Sequence, residues 1–187
     1  MSARSALQSR LALATTAFVI EACMLAWEFT HGGVPAHHLL DDASMPALSN
    51  WWGLLVVPLL VWFLVGRIQR RGATQVETGS RERFRTLIQV RFGAALLWGA
   101  ALALAFSLGS PAVNWIFFGA FAAALVVPVW RAEYLLGFAL GMTFTFGAVL
   151  PVLVACVIAA CSFVVHLAWG TVLRLARGGR APGAGLP

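Results

Sequence analysis

Apolar residues run along this chain in blocks long enough to cross a lipid bilayer, separated by short polar connections. Because the hydrocarbon layer is ~30 Å thick and an α-helix rises ~1.5 Å per residue, a spanning helix needs ~20 mainly apolar residues. The first block covers residues 11–30 and is interrupted by Glu21 and Glu28; a polar stretch from His31 to Asn50 follows. The second covers residues 51–68, with Pro58 inside it as a kink or packing point. After an Arg-rich link, in which Ser80 can cap the next helix, come a third block at residues 88–108 and, beyond Gly109-Ser110-Pro111, a fourth at 113–130.

From Tyr134 to Leu173 no residue is charged. A single helix of roughly 40 residues would be ~60 Å long, twice the membrane, so the run must fold back. Gly147 and Pro151 are its best breakers, giving a fifth span at 134–148 and a sixth at 152–174. The pattern predicts an all-α bundle of six transmembrane helices in one domain, residues 1–177. A disordered tail rich in Gly, Ala and Pro is expected at 178–187.

Charge supplies the orientation. All 13 basic residues are Arg, and every one lies at the N-terminus, in the links after spans two and four, in the adjoining helix ends, or at the C-terminus. The links after spans one, three and five contain none, which by the positive-inside rule puts both termini in the cytoplasm. The net charge of +6 then faces anionic headgroups along the link 67–91, and no nucleic-acid partner is needed. Trp27, Trp51, Trp52 and Trp115 fall at one interface and Trp130 and Trp169 at the other, as membrane anchors do. Gly137 and Gly141 have the small-xxx-small spacing that lets helix backbones approach.

Composition adds two points. A mean hydropathy of +0.85 with 60% apolar residues exceeds what one soluble core can hide. Arg without Lys, with heavy use of Ala and Gly, suggests a bacterial chain, whose natural home is the inner membrane. Cys23, Cys156 and Cys161 all fall in apolar blocks, so no disulfide framework is expected, and the first block reads as an uncleaved helix.

The candidate chemistry gathers at the outer face. Glu21, ten residues into the first span, is expected ~15 Å deep, where a carboxylate must face the bundle interior and be protonated or paired. Glu28 returns to within ~20° of it around the helix and His31 lies ~60° further, so the three share a face. Glu28-x-x-His31 is a spacing that presents a carboxylate and an imidazole to one metal ion. His37, His38 and Asp41 follow within the same connection, where Pro35 can open a short interfacial helix that aligns His37 with Asp41. Gly32-Gly33 can turn the chain back toward Glu28.

Imidazole with carboxylate suits Zn, Fe or Mn, so Glu28, His31, His37, His38 and Asp41 form a candidate transition-metal site, either binding alone or serving an enzyme on a membrane-embedded substrate. Two other readings stand beside it: a proton-coupled carrier of a small solute with Glu21 as its titrating group, and an accessory subunit docking a membrane partner or a second copy. His166, deep in the last span, reads as a packed histidine bonded to a neighbouring helix, and Arg131 with Glu133 as an interfacial pair. Asn50 reads as the N-cap of the second span. No phosphate-cradling loop and no nucleophile-base arrangement is present.

Overall fold

A computed structural model describes residues 3–34, 36–38, 47–76 and 80–178. They form six helices: α1 (Ala3–Thr30), α2 (Gly53–Val76), α3 (Arg81–Ser107), α4 (Ala112–Val126), α5 (Ala132–Phe146) and α6 (Val149–Gly178). Between α1 and α2 lies a two-stranded antiparallel ribbon, β1 (Ala36–His38) and β2 (Ala47–Ser49), followed by one 3-10 turn at Asn50–Trp52. The short helix expected to open at Pro35 is therefore replaced by a strand. Its backbone groups pair across Ala36↔Ser49, His37↔Leu48 and His38↔Ala47 instead of along a helix.

Among the described residues, four helical stretches are long and apolar enough to cross a membrane: Arg4–Thr30, Asn50–Thr74, Arg81–Ser107 and Val149–Leu175. Leu97, Phe118, Val126 and Phe144, all more than 60% exposed, are among the many large apolar side chains on the outside of the bundle, as expected of a protein solvated by lipid.

The two remaining helices have 15 residues each and are shorter than the blocks that predicted them. Helix α4 stops at Val126 rather than at residue 130, because Val127 is extended (φ −100°, ψ 135°) ahead of Pro128, as residues before proline prefer to be. The break between α5 and α6 falls at Gly147, whose φ of +67° favours glycine, with Ala148 completing the turn. Pro151 sits inside the first turn of α6, where a missing N–H costs no hydrogen bond, and so does not act as a breaker. The tail expected from residue 178 lies outside the described residues except for Gly178, which still belongs to α6.

Helix directions follow from who touches whom. Glu21 lies on Gly53 and Arg10 on Gly66, so α1 and α2 run antiparallel. Arg71 reaches Glu133 while Asn50 reaches Gly147, so α2 and α5 are antiparallel too. Gly137 rests on the Phe92 carbonyl and Gly141 on that of Leu96, which makes α3 and α5 parallel. Ser162 of α6 donates to the Ala124 and Val127 carbonyls at 2.7 and 3.0 Å, while His166 approaches Val126, so α4 and α6 are parallel. Direction therefore alternates along the chain. One end of the bundle collects the 31–50 connection and the turns at 108–111 and 147–148; the other, the arginine end, collects the N-terminus, the α2–α3 link, the 127–131 connection and the end of α6.

Helix α5 is the axis. Leu136, Gly137, Phe138, Ala139, Met142 and Thr143 are all buried. The expected small-residue seam is present on it: a Cβ on Gly137 or Gly141 would collide with backbone atoms of α3, and one on Gly99 of α3 would meet the Phe138 carbonyl at 2.5 Å. One apolar cluster joins α3, α4, α5 and α6 through Leu102, Ala124, Met142 and Ile158; a second joins α2 to α5 through Val61, Leu64 and Leu136.

Candidate functional site

Two polar clusters lie inside the bundle, one at each end. At the loop end, Glu21 is 5% exposed, and its carboxylate fills the space that a side chain at position 53 would take. Gly53 is the first residue of α2. Glu21 is thus level with the start of α2, the positive end of that helix's dipole, rather than at mid-helix depth as its position in the sequence suggests. It has no hydrogen-bond partner among the described residues.

Glu28, two turns along the same face of α1, lies close enough to Glu21 for their charges to interact. It accepts hydrogen bonds from the Asn50 amide at 3.3 and 3.5 Å. Ser49, not Asn50, is the capping residue here: its hydroxyl accepts from Trp51 N–H at 3.4 Å. Asn50 is itself buried, and its side-chain oxygen is seated on Gly147. One amide therefore ties the end of α1 and the start of α2 to the α5–α6 turn. A side chain at position 147 is ruled out twice over, by the positive φ and by Asn50.

His31 does not join Glu28. It stacks on Trp27 at 4.6 Å, and its Nδ1 donates to the Trp27 carbonyl at 2.9 Å. A carbonyl can only accept, so Nδ1 carries a proton in this contact, and the residue as a whole is exposed. Gly32 and Gly33, at φ +124° and +98°, make the expected turn back, and the ribbon returns the chain to Asn50. The side chains of His37 and His38, and all of Asp41, lie outside the described residues. Among the described residues no group of three His, Cys, Asp or Glu side chains is placed to hold a metal ion.

At the arginine end Glu133, fully buried, takes a two-pronged bond from Arg71 (2.8 and 3.3 Å) and a third from Arg91 (3.2 Å). This corrects the expected pairing with Arg131. The charges and hydrogen bonds of Arg71 and Arg91 compensate the buried carboxylate, which would otherwise be costly to enclose. The neighbouring Arg131 guanidinium is pushed down by partial burial and by the positive charges of Arg91 and Arg71. A signal for this triad exists in the sequence: Arg91 stands inside an apolar block, where an arginine needs a partner.

His166 behaves as a packing residue, with Nδ1 2.9 Å from the Ser162 carbonyl, Nε2 3.4 Å from that of Val126 on α4, and its ring edge-on to Trp130. Cys23, Cys156 and Cys161 are unpaired. No family model, no curated protein and no solved structure matches the chain significantly.

Proposed function

We propose that the chain is a six-crossing protein of a bacterial inner membrane with both ends in the cytoplasm, and that it moves a small solute in company with a proton carried by Glu21. Alternating helix directions and the gathering of arginines at one end support the orientation. Helices α4 and α5 are ~22 Å each, with the 127–131 turn at the arginine end and the Gly147 turn at the loop end of the bundle.

The observation that carries the functional reading is the burial of Glu21 against Gly53. A carboxylate enclosed by helices in a membrane holds its charge at a cost of a few kcal/mol unless a cation joins it, so gain and loss of a proton there alters how α1 and α2 fit. Glu28 and Asn50 extend the polar path from Glu21 to the loop-end surface, and Asn50 passes any shift on to the α5–α6 turn. In liposomes holding a pH-sensitive dye, Glu21→Gln is expected to abolish proton uptake driven by pools of small solutes, with unfolding temperature unchanged. Flux equal to that of the parent protein would overturn the carrier reading.

One observation favours a second reading, a transition-metal site with His31 as one ligand and His37, His38 and Asp41 as the candidates for the others. The His31 Nδ1–H bond to a backbone carbonyl is the arrangement that commonly orients a metal-ligating imidazole, and it leaves Nε2 as the ligand atom. Elemental analysis of the purified chain is then expected to find one Zn, Fe or Mn per molecule, lost in the His37→Ala, His38→Ala double variant and retained in Glu21→Gln. Metal-free protein of full stability would remove this reading without touching the first.

A further inference from the structure

A cavity of about 290 Å³ lies between α3, α4, α5 and α6, away from the Glu21 cluster. Trp98, Ala120, Ala123, Val127, Tyr134 and Phe138 are among its walls. The Trp98 indole N–H already donates to the Ile116 carbonyl at 3.1 Å, which leaves the Tyr134 hydroxyl as the one polar side-chain group in the lining. Water in a buried site needs two to four polar partners, so this space suits an apolar occupant. It has room for roughly ten water- or methylene-sized groups at ~30 Å³ each.

The chemistry at one end of the cavity is different. Wall residues Val127, Val129 and Tyr134 bracket Arg131 in the chain, and the Tyr134 N–H donates to the Arg131 carbonyl at 3.0 Å. The Arg91 guanidinium stands 5.9 Å from the Tyr134 ring. Arg71 and Arg91 hold the single carboxylate of Glu133, and Arg131 stands close enough to feel all three charges, so two positive charges are left over beside an apolar hole. The positive charges of Arg91 and Arg71 crowd that of Arg131, and a bound anion would relieve this crowding.

We propose that this cavity binds one acyl chain of an anionic phospholipid, whose phosphate sits at Arg131 and Arg91. The inference requires only a membrane setting and is independent of the role given to Glu21. Charge complementarity selects the occupant: a zwitterionic lipid offers the same chain without net negative charge, and free phosphate offers the charge without the chain.

Native mass spectrometry of the full-length chain in mild detergent tests it, with phosphatidylglycerol and phosphatidylcholine of identical chains added in turn. One phosphatidylglycerol per protein is expected, held on the order of tenfold more tightly than phosphatidylcholine. Arg131→Gln, which leaves the Glu133 ion pairs in place, should weaken phosphatidylglycerol roughly fivefold and leave phosphatidylcholine unchanged. Ala123→Phe, which fills the cavity, should lose both lipids. Equal binding of the two lipids by the parent protein, unchanged binding by a folded Ala123→Phe variant, or displacement by millimolar inorganic phosphate would each overturn the proposal.

Discussion

Gly141→Leu is expected to yield no monodisperse folded protein, and Gly137→Leu the same. The obstruction at both positions is backbone: the Leu96 carbonyl and Ala100 nitrogen beside Gly141, and the Phe92 carbonyl and Leu96 nitrogen beside Gly137. Backbone cannot swing aside as a long side chain can, so α3 and α5 would have to part along their whole contact. In lipid no hydrophobic gain draws separated helices together again, since the acyl chains are as apolar as leucine. Even Gly141→Ala should cost about 1–3 kcal/mol, the usual penalty of forcing extra volume into a packed interior. Gly93 and Gly170 supply the controls, because a Cβ at either meets nothing within 4 Å. Leucine there should shift stability by no more than about 0.5 kcal/mol. The comparison needs only size-exclusion profiles in detergent and thermal unfolding midpoints. If Gly141→Leu proves as stable as Gly93→Leu, the two helices do not meet as described.

That seam was legible in the sequence because spacing alone encodes it: residues four apart share a helix face, and only small residues let two backbones touch. The reversal at Gly147 and the turn at Gly32-Gly33 were legible for a related reason, since a glycine between apolar blocks marks a place where the chain leaves ordinary backbone angles. The segregation of arginines needed no structure at all.

What could not be read is what depends on neighbours distant in the chain. Helix depth is one case: counting from Leu11 puts Glu21 mid-span, but α1 starts at Ala3, and its register against α2 sets Glu21 beside Gly53. Asn50 is another. Next to Trp51 it looks like a local cap, whereas its amide serves Glu28, 22 residues earlier, and its oxygen meets Gly147. Helix spacing would align Glu28 with His31, but α1 ends at Thr30, and spacing does not say which partner wins each side chain. Asn50 took one and Trp27 the other.

The second large effect is expected at Glu133. Glu133→Ala should destabilise the bundle by about 3 kcal/mol, toward the lower part of the range for breaking a buried ion pair, because the orphaned Arg71 is partly exposed and can turn to water while Arg91 is more enclosed. Arg91→Ala should cost less than Glu133→Ala, since Arg71 still neutralises the carboxylate. The loss in Glu133→Ala should be partly recovered by adding Arg91→Met, which removes the stranded charge and keeps the volume. Thermal unfolding midpoints of the purified variants in detergent read these differences. A Glu133→Ala variant as stable as the parent protein would mean that the clamp between α2, α3 and α5 is not made by this carboxylate.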